Sequence, residues 1–336
     1  MKFVTRKPVH FLFALAMAAL LGSCKTEKKE TKNTIAETTE APANWAERLG
    51  YPKGAKVLML HSDDVGMCEE ANQATEAYLD KGLIQSAAIM IPCPNAKAFV
   101  DWAIANPKQD VGLHLTLTSE WKTYRWSSVT PKDSVPGLHD PEGKMWRSVP
   151  EVVMNASPAE IEKEVRAQIE QSIAWGYRPD HIDTHMGTLY GHPAFVEVFF
   201  RVAQEYGIPA NAIDLSNAKV VEKFKGQGYP LTDEVVALAN GYTLPKLDDF
   251  TSVPKGDTYE EKIQNFKDLV MGLDAGITEI IFHPSVETEN LKTITNSWQQ
   301  RSWEAQMFAD PDLIAFFKEQ NIIFTNWKEM MARHNK

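Results

Sequence analysis

The chain has 336 residues, 43% hydrophobic, 10% aromatic and 24% charged, the usage of a folded globular protein that can bury a core without covalent staples. That composition excludes a disordered or fibrous chain and a membrane bundle. A formal charge of -10 argues against a nucleic-acid partner, because affinity for a phosphate backbone comes from Lys/Arg neutralisation and counterion release.

In chain order, the first feature is an address. Lys2, Arg6 and Lys7 precede an apolar run from Phe11 to Leu21, and Leu21-Gly22-Ser23-Cys24 forms a small-residue junction. This is the layout of a secretory signal. The run is too short to cross a hydrocarbon core of ~30 Å as a helix, which takes about 20 residues. The junction resembles the lipobox of bacterial lipoproteins. That resemblance implies cleavage of residues 1–23 and a lipid on Cys24 that anchors the protein to a membrane of the cell envelope, facing the periplasm or the surface. Residues 24–44 are expected to form a solvated tether, since Ile35 is their only large apolar side chain and too little surface can be buried to offset ordering entropy. Cys68 and Cys93 are then the remaining thiols; each follows a predicted strand, and a bridge or two buried free thiols are both open.

Residues 45–336 alternate short apolar runs with amphipathic helices, the pattern of a parallel sheet with crossover helices. Strands are predicted at Lys56 to Leu60, Ser86 to Ile91, Val111 to Leu117, His181 to His185, Ala212 to Leu215, Glu279 to Phe282 and Ile322 to Phe324. Ser157-Pro158-Ala159-Glu160 is a capping box with proline at the first helical position, followed by the stripe Ile161, Val165, Ile169, Ile173 and a stop at Gly176. Tyr259, Ile263, Phe266, Val270 and Leu273 mark a second helix, and Asp310-Pro311 opens a third. No composition break or repeat divides this region, so one catalytic domain is expected, and no feature fixes an oligomeric state. About seven strands admit a barrel or an open sheet; polar residues at the strand ends favour the barrel, where those ends carry the site.

Those polar residues are specific. The first strand runs into His61-Ser62-Asp63-Asp64, and adjacent carboxylates after a buried strand are costly unless a cation compensates them. Capping of the following helix is the alternative use for one of them. The third strand contains His114. In the fourth, period-two alternation places His181, Asp183 and His185 on one face, with His185 nearest the C-terminal rim. His192 follows just before a helix, and the strand at 279–282 ends in His283-Pro284. Six of the nine histidines (His61, His114, His181, His185, His192 and His283) lie in or just beyond these segments. Imidazoles with a carboxylate fit a divalent ion of the Zn, Fe, Co or Mn type, and Mg fits if water completes the shell. One Asp and two His would leave positions open for water and substrate, the layout of a catalytic metal.

Four segments in order resemble the YdjC-like family of carbohydrate deacetylases, which includes the chitooligosaccharide deacetylases. Ser62-Asp63-Asp64-Val65-Gly66 resembles its Asp-Asp-Phe-Gly element, Gly112-Leu113-His114-Leu115-Thr116 its Gly-x-His element, His181-Ile182-Asp183-Thr184-His185 its His-x-Asp-Ser-His element, and His283-Pro284 its late His-Pro element. The resemblance implies a deformed (β/α) barrel with one divalent metal, Mg or Zn, held by Asp64, His114 and His185, and Asp63 as catalytic base. His181 is the competing choice to His185. Val65 replaces the usual aromatic, and Met186-Gly187-Thr188 stands where the family often has more histidines. The implied reaction removes an acetyl group from an N-acetylated amino sugar or oligosaccharide. His283 is expected to protonate the departing amine, Asp183 to orient a histidine through its second ring nitrogen, and His192 is a substrate-side candidate.

Trp121, Tyr124, Trp126 and Trp146 crowd the segment after the third strand. Trp121 and Trp126 in particular either form a platform for sugar faces or pack the loop against the barrel. Arg301 and Glu304, one helical turn apart, are expected to be a surface or structural pair. Two rival functions stand beside the deacetylase: hydrolysis of another glycan bond, and a non-catalytic glycan-binding lipoprotein. A glycosidase needs two carboxylates about 5 Å or more apart; adjacent Asp63 and Asp64 do not supply that, which leaves Asp183 or Asp248.

Overall fold

The first strand decides the architecture. A computed structural model describes residues 44–336; the signal, Cys24 and the tether up to residue 43 lie outside the described residues. Strand β1 (Lys56–Val65) alternates strictly over its first half. Leu58 and Leu60 join the main core between sheet and helices, whereas Val57 and Met59 join a second cluster with Leu247, Ile277 and Trp327. His61 and Asp63 continue that second face toward the C-terminal end, so the interior of the sheet passes from apolar to polar along one strand.

The other strands are β2 (Ser86–Ile89), β3 (Val111–Leu115), β4 (Ile182–Thr184), β5 (Asp249–Ser252), β6 (Gly276–Phe282) and β7 (Ile323–Phe324). All pair in parallel, in the order β4-β3-β2-β1-β6-β5, with β7 on the N-terminal part of the β1 edge that β2 occupies further along. Single parallel bridges, Ile182 to Ala210 and Ile213 to Leu247, connect the outer strands through segment 210–213. The sheet therefore curls into the deformed barrel expected from the sequence.

Two strands differ from expectation for physical reasons. Ala212 to Leu215 forms bridge contacts only, held by Leu247 N–H donating to Ala212 O at 2.8 Å and Asp214 N–H to Leu247 O at 2.8 Å. β5, with sequence Asp-Phe-Thr-Ser, was not expected: its side chains are half-buried or exposed, so it has no apolar run, and its register against β6 defines it.

The helices follow their punctuation. Ser157 and Glu160 form the reciprocal box opening Pro158–Ala174, and Asp310 caps Pro311–Glu319 by accepting from Asp312 N–H at 2.9 Å. Ile161, Val165 and Ile169 are fully buried, but Ile173, at the end of the stripe, is 36% exposed. Asn44 caps the short helix Trp45–Arg48, and the Asp248 carboxylate ties that helix to the barrel by accepting from the N–H groups of Trp45, Ala46 and Ile277. Among the described residues no helix is long and apolar enough to cross a membrane. Cys68 and Cys93 are both free and buried, and burial pushes the Cys68 thiol up to about 12, which leaves it inert.

Candidate active site

A break in the alternation of β1 builds the site. Neighbouring residues of a regular strand face opposite sides, so Asp63 and Asp64 would diverge. The register against β2 shifts between Ser62 and Val65, and Asp64 adopts a left-handed backbone with φ 60°, a conformation that Asp tolerates better than most residues. The irregularity brings both carboxylates to one cavity. β3 and β4 add His114 and Asp183, which are register partners, and His185 follows β4 where Met186 and Gly187 take positive φ. The Gly-x-His glycine is needed for close approach, because a Cβ at Gly112 would lie 2.4 Å from Nε2 of His181.

The cluster is buried. Asp63, Asp64, His114, Asp183 and His185 are all buried and all line one cavity of about 390 Å³. Asp64 Oδ1 lies 3.3 Å from His185 Nδ1 and 3.6 Å from His114 Nε2, and each of the three residues offers an atom within 4.8 Å of the others. His114 Nδ1 is 2.6 Å from Asp183 Oδ1, and His185 Nε2 is 3.0 Å from Glu120 Oε2, so both rings are held on the side away from Asp64. Asp64 Oδ1 itself has no hydrogen-bond partner. A buried carboxylate oxygen without a partner, between two imidazole nitrogens that are fixed from behind, fits a divalent cation.

The electrostatics separate the two neighbouring carboxylates. Burial drives Asp63 well above the usual carboxylate range, and the charges of Asp183 and Asp64 add to this against the pull of His114. Burial acts on Asp64 too, but the Arg301 guanidinium, 2.7 Å from Oδ2, outweighs it with His283 and His185 and holds the carboxyl well below that range. The two neighbouring carboxyls are thus pushed in opposite directions, Asp64 toward the anion and Asp63 toward the protonated acid. Against burial, Glu120 and Asp64 push the His185 imidazole up to about 10 in the metal-free protein.

Other expected residues fall in different places. His283 ends β6 with its side chain 34% exposed and Nε2 3.8 Å from Asp63 Oδ2. His61 lies beneath Asp63, with Nε2 3.3 Å from Asp63 Oδ1 and 3.0 Å from Asp183 Oδ2. His181 shares the inner face with Asp183 but sits deeper, 3.1 Å from Asp110 Oδ1 and stacked on Trp327, outside the cavity lining. His192 is no part of the cavity: it is exposed and caps helix Pro193–Tyr206 by accepting from Ala194 N–H. Neither Trp121 nor Trp126 lines the cavity. Trp126 is buried, donates to Thr118 O at 2.9 Å and rests against His185, so it packs the loop; Trp121 lies under the Arg301 guanidinium. Asp248 spends its oxygens on backbone N–H groups and is absent from the lining, so it offers no second carboxylate for a glycosidase.

Arg301 and Glu304 correct the surface expectation. Both are buried on helix Trp298–Met307; Arg301 bonds Asp64, and Glu304 accepts from the backbone N–H of His283 at 2.7 Å and from buried Lys262 at 2.9 Å. The signal available was that this helix lacks an apolar stripe and so has to bury polar residues if it packs at all. Glu120 was missed as well, and its only sequence mark is its position just beyond the third strand.

The profile of the YdjC-like proteins matches residues 57–319. A carbohydrate deacetylase of Thermus thermophilus is 31% identical over 265 residues, 78% of this chain and 89% of that protein; one of Thermoanaerobacter pseudethanolicus is 24% identical over 272 residues, 81% and 98%. The crystal structure of a cellobiose-phosphate cleavage protein of Enterococcus faecalis shares the fold with a TM-score of 0.67 at 22% identity, covering 82% of this chain and 99% of its own. The four strand-end segments all fall within the matched region, and the chain belongs to the YdjC-like family.

Proposed function

We propose that this protein is a carbohydrate deacetylase, a hydrolase that removes the acetyl group from N-acetylated amino sugars or oligosaccharides with a divalent metal held by Asp64, His114 and His185. The observation that carries the metal is the partnerless Asp64 Oδ1 facing two imidazoles fixed from behind by Asp183 and Glu120. Family membership, with the curated deacetylases among its relatives, supports the reaction. When bound, Mg or Zn would supply Lewis-acid polarisation of the acyl oxygen and acidify a water.

The chain's own groups divide the remaining work. Asp63, which the charge of a bound divalent ion would keep ionised, accepts the proton of the attacking water, and His61 lies beneath it with Nε2 3.3 Å from Oδ1. Arg301, which lines the cavity, keeps Asp64 ionised through its 2.7 Å contact with Oδ2. His283, on the more exposed side, delivers a proton to the departing amine, with its backbone fixed by Glu304. Acetate release from a panel of N-acetylated oligosaccharides tests the reading. Release that stops with chelator and returns with Mg or Zn is the expected result; glycan binding without release would establish the binding protein instead.

The placement of this activity is part of the same reading: residues 1–23 as a removable signal, lipid on Cys24, residues 24–44 as a tether and 45–336 as the catalytic domain. Expressed in a bacterial envelope, the native chain should partition into detergent and the Cys24→Ser chain into buffer.

A further inference from the structure

The cavity has a second wall that none of these steps uses. Phe224, Leu231, Val235 and Ala239, from helices Ala218–Gly226 and Asp233–Gly241 and their connection, line the same cavity as Asp64 and His185, with Ile213 beside them. Phe224, Val235 and Ala239 are only 3%, 1% and 2% exposed and Leu231 and Ile213 are half-buried, so this wall is apolar and largely enclosed, whereas the His283 side chain is 34% exposed. The wall offers few hydrogen-bonding groups, the Tyr229 hydroxyl beside Phe224 being one of them. The Tyr190 hydroxyl is already donated to Asn211 O at 3.0 Å, and the Asn211 side-chain oxygen is left to accept one bond. A sugar ring pressed there would bury several hydroxyls without partners, which is penalised, whereas an aliphatic chain gains by leaving water.

We propose that this wall is an acyl pocket and that the substrate class extends to amino sugars whose N-acyl chain is longer than acetyl. The inference rests on the reading of the site as an N-acyl amino-sugar hydrolase. It follows from the lining: the buried Asp63, Asp64, His114 and His185, with the half-buried His283, take the reacting bond, and the apolar side chains of residues 224–239 in the same cavity are what is left to receive the carbon chain of the acyl group. The chemistry is unchanged by chain length. Water adds to the acyl carbon, the C–N bond breaks, the amine keeps the bond's electron pair and takes a proton, and the chain leaves as a carboxylate.

Two measurements on the metal-loaded protein test it. With N-acetyl-, N-butyryl-, N-hexanoyl- and N-octanoyl-glucosamine, kcat/KM is expected to rise roughly three- to fourfold per buried methylene until the pocket is full. By calorimetry, the affinities of acetate, butyrate, hexanoate and octanoate should climb in the same order. Ala239→Phe fills the pocket and should lower the octanoyl-to-acetyl ratio in both series; Leu231→Trp, at a half-buried position that tolerates bulk, does the same if Ala239→Phe does not fold. Rates that fall beyond acetyl with carboxylate affinities that stay flat overturn the acyl pocket and leave the deacetylase reading standing. No cleavage of any N-acyl sugar defeats the deacetylase reading, and the carboxylate series then decides the pocket alone: a rise removed by either substitution supports it, a flat or substitution-insensitive series rejects it.

Discussion

Two clusters of charge in this molecule obey opposite rules. On the outer helices Pro158–Ala174 and Pro193–Tyr206, Glu162 bonds Arg201 at 2.7 and 2.9 Å and Arg166 at 2.9 Å, while Glu205 pairs with both arginines at side chains that are 31–45% exposed. Every charge there meets its opposite. At the strand ends, Asp63, Asp64 and Arg301 are buried, yet one atom of each, and both ring nitrogens of His61, lack a hydrogen-bond partner. A surface network can be complete because water shares the load and little is at stake. A buried network with vacant bonding capacity is destabilising, and it is retained where those vacancies receive something: a cation, a water, a reacting oxygen.

That contrast can be broken by experiment, starting at its strongest point. Asp64→Ala should abolish metal retention, measured by elemental analysis after gel filtration, and reduce acetate release to the level of the chelated protein; full metal content with full activity would remove Asp64 from the site. Asp63→Asn should lower kcat by roughly 10²–10⁴-fold while metal content is kept, since only a proton acceptor is lost. Arg301→Met leaves Asp64 an unpaired buried anion, and urea denaturation of the metal-free protein should show a loss of about 3–5 kcal/mol. Added Mg or Zn should recover part of it, whereas an unchanged midpoint would mean that water reaches the pair.

The surface cluster supplies the smallest effect. Hydrogen bonds from Arg201 and Arg166 hold Glu162 down to about 2. A depressed carboxyl stabilises the folded state above its unfolded value and loses that contribution as pH falls through the folded value. Glu162→Gln should therefore cost below about 1 kcal/mol at pH 7, given the exposure of the pair, and progressively less from about pH 4.5 downward to pH 2. A loss in urea denaturation as large as that of Arg301→Met would erase the distinction between the clusters.

Much of the inner cluster was legible because it rides on strands. Period-two alternation puts His181 and Asp183 on one face, and the apolar runs before Asp63, His114 and His283 locate strand ends, so chemistry and backbone share one signal. Where the signal is not periodic, the reading failed. Arg301 and Glu120 reach the cavity from a helix and a loop whose local sequences carry no mark of the partner they meet. His192 stands beside a strand-end segment yet serves as a helix cap, since a histidine before Pro193 reads the same in either role.

The sequence by itself determined the parallel strand-helix alternation, the helix starts at Ser157 and Asp310, and the gathering of histidines with Asp63 and Asp64 at one end of the sheet, because each depends on neighbours within a few residues. Only the tertiary structure decided that Asp64 turns inward at the irregularity in β1, that Arg301 separates its proton affinity from that of Asp63, and that a wall from residues 224–239 closes the cavity. Those outcomes depend on register between strands and on burial, which no local pattern encodes.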